Sequence, residues 1–184
     1  MVSILDPITQ KQGDSLKSIS WYRNKIASLQ DNITAGKLMR SGRLNNRPSQ
    51  GRLNMFIYDA KYKNRLPYFD SFPLVLPLEP IRGGFSGINF HYLPPVLRFR
   101  FLESLQAYAS DTKLNKSSRL DVSYDDLRKN KYTKPTIKKY LYSRVATRFL
   151  RINIDESATA VLLPVAQFNA SNSRVYKDSR AMLQ

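Results

Sequence analysis

Apolar positions along the chain follow two periods. Ile19, Tyr22, Ile26, Leu29 and Ile33 recur at alternating steps of three and four, which predicts one helix face opening near Asp14 or Ser15 and stopping at Gly36. Residues 1–13 show no clear period and read as a loose lead-in. Between residues 55 and 95 the pattern changes to short apolar and aromatic runs broken by proline and glycine. These runs predict strands at 55–58, 72–78 and 85–92, joined by a basic turn through Lys61, Lys63 and Arg65 and a second turn at Gly83-Gly84. Pro73 and Pro77 cannot donate to a ladder, so the second strand is expected at an edge or interrupted.

The helical period returns at Pro95, with Leu97, Phe101, Leu105 and Tyr108 on one face. After a polar loop at 111–118, the alternation Leu120, Val122, Tyr124 predicts a further strand, and 125–130 a turn or short helical piece. From Pro135 the four-residue spacing of Ile137, Leu141, Val145 and Phe149 predicts a helix. On it, Arg144, Arg148 and Arg151 would form a second stripe beside the apolar one, with Tyr140 at its head. The run ATAVLLPVAQF predicts a last buried strand broken at Pro164, and Ser171 or Asn172 opens a final helix through Val175, Tyr176 and Met182. The expected fold class is α+β: a small antiparallel sheet packed by two to three helices, preceded by an N-terminal helix and a basic extended arm. The expected division is an N-terminal helix and arm over 1–54 and an α+β core over 55–184.

Charge changes the picture. The 184 residues carry 30 Lys+Arg against 14 Asp+Glu, a formal net charge of +16. The surplus is localised, with nine basic residues and no acid in residues 128–151. A second run, 37–54, holds Lys37, Arg40, Arg43, Arg47 and Arg52 with no acid among small polar residues. Such a run lacks the apolar content of a core and reads as a mobile arm. Forked guanidiniums three to five residues apart suit backbone phosphates, and basic side chains bordering a buried helix face would form a preorganised anion surface. The candidate nucleic-acid-binding residues are therefore Arg40, Arg43, Arg47 and Arg52 on the arm and Lys138, Lys139, Arg144, Arg148 and Arg151 on the helix. A solvated linker and a solvated helix face are the alternatives.

Other chemistry is sparse. With no cysteine there is no disulfide framework, no thiolate and no Cys-ligated zinc. No apolar run approaches the roughly 18 residues of a membrane span, and the N-terminus has no signal-like apolar stretch, so a soluble intracellular protein or a particle component is expected. Asp59, Asp70, Glu79, His91 and Glu103 are spread without metal-ligand or catalytic spacing, and Gly83-Gly84 lacks the rest of a phosphate-binding loop. Each acid reads as a turn former or surface charge, and His91 as a satisfied histidine at a strand end. No enzyme activity, metal or cofactor is expected.

The stretches Leu66-Pro67-Tyr68-Phe69-Asp70-Ser71-Phe72-Pro73-Leu74 and Gly87-Ile88-Asn89-Phe90-His91-Tyr92-Leu93-Pro94, with Tyr58-Asp59 before them, resemble the signature block of a phage protein family. That family is the DNA end-protector, or head-completion, protein of T4-like tailed phages. Met39-Arg40-Ser41-Gly42-Arg43 and the Lys134-Pro135 to Tyr140-Leu141 pattern are similar too, so the resemblance covers most of residues 37–182. It implies a virion protein added late near the portal or neck, which binds the end of packaged double-stranded DNA and shields it from host exonuclease. Its partners would be genome DNA and other virion proteins, with homo-oligomerisation open, and its locations the virion and the infected cell's cytoplasm. A structural neck, tail or baseplate subunit, whose basic arm lies across acidic neighbours, remains the competing expectation.

Overall fold

The computed structural model describes residues 3–29, 33–110, 127 and 129–184, with side chains 108–110 excluded. The predicted loop at 111–118 and strand at 120–124 lie outside the described residues, as do half of the piece at 125–130 and the side chain of Tyr108. Among the described residues the fold is α+β, with seven α-helices and one six-stranded antiparallel sheet in the order β1-β6-β2-β3-β4-β5.

The N-terminal region differs from its expected form. α1 (Asp6–Gln12) occupies the supposed lead-in and buries Ile8. α2 (Ile19–Ala27) starts later than the expected opening near Asp14 or Ser15, because the Ser18 hydroxyl accepts the Trp21 N–H, and it ends well short of Gly36. α3 (Ala35–Ser41) opens separately, with Thr34 accepting the Lys37 N–H. The run 37–54 is therefore not an extended arm throughout. Leu38 and Leu53 are buried, β1 (Arg43–Asn45) pairs with β6 (Phe149–Arg151), and β2 (Asn54–Met55) lies between β6 and β3. Gly42 makes this docking possible, because a Cβ there would overlap the Leu150 side chain. Two apolar anchors and a three-residue ladder outweigh the segment's polar composition.

The β3 (Leu74–Ile81) and β4 (Gly84–Asn89) hairpin matches expectation, with Gly83 at φ 75° in the turn. β2 covers only Leu74 and Val75 of β3. The remainder has β4 on one side alone, which accommodates Pro77 and Pro80 and a register shift between Pro77 and Glu79. A short 3₁₀ turn at Phe90–Tyr92 leads into α4 (Pro95–Ser110).

The predicted helix from Pro135 is overturned. α5 (Thr133–Thr136) lasts one turn, then the chain forms β5 (Ile137–Leu141), a 3₁₀ turn at Tyr142–Arg144 and β6. Ile137 packs against one core and Tyr140 against another, so the segment is apolar on both faces and its four-residue spacing is coincidental. The predicted strand ATAVLL is instead α6 (Ser157–Leu162), with all six residues buried. The capping box of Asn153 and Glu156 starts a 3₁₀ turn that runs directly into it. A helix buried all round has no polar face to reveal its period. α7 (Asn172–Met182) falls where predicted, capped by Ser171.

Alternation along the strands builds a core on each face of the sheet. Met55, Leu74, Leu76, Ile88 and Leu150 join the helices in the larger core, while Phe56, Val75, Phe85, Tyr140 and Phe149 form a second, aromatic one. Phe85 and Phe149 have ring centroids 6.0 Å apart, although two strands lie between β4 and β6. In a flat sheet three inter-strand spacings of about 4.8 Å would separate them, so the sheet curls around this cluster.

A buried polar network fixes the signature block. Asp70 accepts the N–H of Phe72 at 3.0 Å and of Gln167 at 3.1 Å on one oxygen, and Asn89 Nδ2 at 3.2 Å and His91 Nδ1 at 2.7 Å on the other. Burial alone would raise the Asp70 pKa, but His91 and the hydrogen bonds outweigh it and hold the carboxyl below its ordinary value. Burial lowers the His91 pKa, with Asp70 opposing only in part. Neutral His91 with its proton on Nδ1 fits that direction. Arg98 is 1 % exposed; its Nε donates to the Leu93 carbonyl at 2.6 Å and its Nη2 to the Tyr176 hydroxyl at 2.7 Å.

Asp70→Ala leaves buried donors unpaired and is expected to lower unfolding free energy by about 3–5 kcal/mol in urea denaturation at pH 7. The unfolded chain takes up a proton that buried His91 refuses, so this pair's stabilisation is complete above pH 6.5 and declines as pH falls, with a second loss below pH 3.8 from Asp70. Asp70→Asn is expected to flatten the second loss; an unchanged acid profile would show that the carboxylate does not carry it.

Candidate nucleic-acid interface

The nine candidate residues fall into separate groups rather than one arm and one helix face. Arg40 is exposed in the last turn of α3, Arg43 begins β1, and Arg47 follows β1. Arg151 ends β6 and Arg148 immediately precedes it. Pairing of β1 with β6 brings Arg43, Arg148 and Arg151 into one neighbourhood. Arg52 precedes β2, which pairs with β6 on its other side. Six of the nine thus gather around β1, β6 and β2.

Arg43 stands directly opposite Arg151 in the antiparallel register. Cross-strand partners share a face with Cβ atoms about 4.5–5.5 Å apart, so two like charges there repel. Among the described residues neither has a carboxylate at ion-pair distance. Asp6 and Glu156 do line a small cleft shared with both arginines. Burial raises the Glu156 pKa, and its Oε2 accepts the Asn153 N–H at 2.9 Å. Arg151 Nε is buried and has no hydrogen-bond partner among the described residues. Arg148 is exposed, and its Nη2 donates to the Leu44 carbonyl at 2.7 Å, fastening the loop before β6 to β1.

The other three candidates lie elsewhere. Arg144 sits in the 3₁₀ turn between β5 and β6, 3.8 Å from the Asp59 carboxylate that Lys63 approaches to 2.9 Å. Both partners are substantially exposed, which makes this a weak surface contact. The predicted stripe of Arg144, Arg148 and Arg151 does not exist. Lys138 and Lys139 lie on β5, at the edge of the sheet opposite β1. The Lys138 ammonium is 4.0 Å from the Tyr92 ring centroid, and burial lowers its pKa.

The acid and histidine candidates resolve differently. Asp70 and His91 meet in the buried network, whereas Asp59 is bound up with surface lysine and arginine. Arg98 was not marked by sequence pattern: it is one of two arginines among apolar residues in VLRFRF, and nothing in that run tells it apart from Arg100. Among the described residues no group of three His, Cys, Asp or Glu side chains could hold a metal ion. Nor is any described helix long and apolar enough to cross a membrane.

No match to this chain was found among curated proteins or solved structures. A family model does match, over residues 8–182, and its description is phage T4 terminal DNA protecting protein. That span takes in the Asp70 network, both edges of the sheet and every candidate basic residue. The chain belongs to the family of the phage T4 terminal DNA protecting protein, and its role is the protection of DNA ends.

Proposed function

We propose that this protein grips the terminus of packaged double-stranded genome DNA through Arg40, Arg43, Arg47, Arg52, Arg148 and Arg151, and so denies the end to host exonuclease. Lys138 and Lys139 extend the basic surface at the far edge of the sheet. The role is binding, with no bond made or broken and no cofactor. The protein acts in the virion, at the head and neck beside other virion proteins, and then in the cytoplasm of the infected cell.

The observation that carries the proposal is the Arg43–Arg151 pair. Directly opposed like charges weaken a ladder, and a phosphate between them converts the repulsion into two charge-assisted contacts.

For six phosphate contacts the logarithm of affinity for linear duplex is expected to fall against the logarithm of salt with a slope of about −5. A nearly flat dependence would reject the proposal and favour a structural subunit whose basic surface meets acidic proteins. Arg43→Gln is expected to reduce the slope by about one and weaken binding, yet to stabilise the free protein at low salt by about 0.2–1 kcal/mol. A destabilised free protein would mean that Arg43 is already neutralised within the fold. In a nuclease assay, linear duplex is expected to resist exonuclease with wild type and to lose that resistance with Arg43→Gln/Arg151→Gln.

A further inference from the structure

Between the signature block, β5 and α7 lies a cavity of about 600 Å³ that the arginine cluster does not use. Such a volume falls within the roughly 300–1,000 Å³ of small-ligand sites. Its walls include the rings of Tyr58, Tyr68, Tyr92 and Tyr140, all buried, while Tyr62 and Leu66 are 54 % and 44 % exposed on it. Burial raises the Tyr92 pKa and pushes Tyr68 up to about 12, so these phenols carry no negative charge near neutrality.

Three lysines, Lys61, Lys138 and Lys139, share the same lining. Asp70 is the only carboxylate among the lining residues, and its oxygens are engaged by four donors within the fold. Lys138 is half-buried with an aromatic ring as its partner, and among the described residues no carboxylate pairs with it. A concave set of neutral rings beside uncompensated ammonium groups matches one chemistry: a flat π-face attached to a phosphate. Lysines on an exposed edge strand also discourage strand addition, but that role does not call for a cavity of aromatic rings behind them.

We infer that this cavity takes the terminal nucleobase of a DNA strand, stacked on its tyrosine rings, with Lys138 and Lys139 on the adjoining phosphate. This deepens the proposed grip on genome ends and rests on it. A base inside a duplex must leave two stacking neighbours and its pairing partner to enter such a pocket, whereas a terminal base leaves one neighbour and frays readily. The cavity therefore supplies discrimination between an end and continuous duplex, which phosphate contacts cannot.

The test uses full-length protein, a closed circular duplex, a linear duplex of the same sequence, and 2-aminopurine placed either at the terminal position or ten base pairs inward. Wild type is expected to prefer the linear form and to change the emission of the terminal probe only. Tyr62→Ala and Leu66→Ala alter exposed residues outside the core. Each is expected to lose about tenfold in affinity for ends, together with the terminal-probe response, while binding closed circles as wild type does. End preference with a silent terminal probe, or variants that weaken linear and circular binding alike, would overturn the pocket and leave the arginine grip standing. Variants that keep end affinity but no longer bind a neck protein would assign the cavity to a protein partner and overturn it too. Failure of wild type to bind either duplex would instead remove the proposed function itself.

Discussion

A buried carboxylate has to be surrounded by donors, and Asp70 meets that demand by drawing together chain segments that are far apart in sequence. Its oxygens accept from Phe72 just before β3, Asn89 at the end of β4, His91 in the following turn, and Gln167 in the connection between α6 and α7. Arg98 extends the constraint, since its guanidinium reaches the carbonyls of Leu93 and His91 and the hydroxyl of Tyr176 on α7. Two hairpin strands, the start of α4 and the C-terminal helix are thereby placed relative to one another. The cavity inherits its shape from this arrangement, because Tyr68 lies two residues before Asp70 and Tyr92 directly follows His91. The buried polar network thus positions two of the rings that line the cavity.

The basic residues obey a different logic. Their positions follow from strand pairing and not from any network of their own; apart from Arg144, they fall into two populations, one around β1, β6 and β2 and one on β5 at the opposite edge of the sheet. At the β1 edge, arginines crowd one another across the ladder. At the β5 edge, Lys138 lies against the Tyr92 ring. Forked, permanently charged groups suit the bidentate capture of phosphate oxygens, whereas an ammonium over a ring suits a site that also accepts a flat apolar group. A terminal DNA protecting protein has to hold the charged backbone that all DNA shares and also recognise where that backbone stops. On the proposed reading, the arginine edge does the first and the cavity at the β5 edge the second.

Local rules made several elements legible. α4 and α7 carry clear helical spacing and start signals, and the β3–β4 hairpin is announced by aromatic runs around Gly83. The signature block carried the family resemblance, yet the pairing of Asp70 with His91 inside it could not be foreseen, because 21 residues of chain separate them. The helix expected from Pro135 failed for a specific reason. β5 places apolar residues on both of its faces, so Ile137, Leu141, Val145 and Phe149 mimic a helical stripe. Thr136, Ile137, Tyr140, Tyr142 and Val145 were the contrary signal, as β-branched and aromatic residues favour strands. In α6 the same ambiguity ran the other way.

Composition and short-range spacing by themselves determined that this chain folds as α+β and that its positive charge is concentrated, and its central motifs carried a family resemblance. Tertiary structure decided where that charge goes. Arg43 and Arg151 become neighbours only when β1 docks on β6, and the tyrosine cavity exists only once β5, α7 and the signature block meet. Pairing between distant strands depends on the free energy of the whole core, through buried anchors such as Leu38, Leu53 and Leu150, and no window of neighbouring residues contains that quantity.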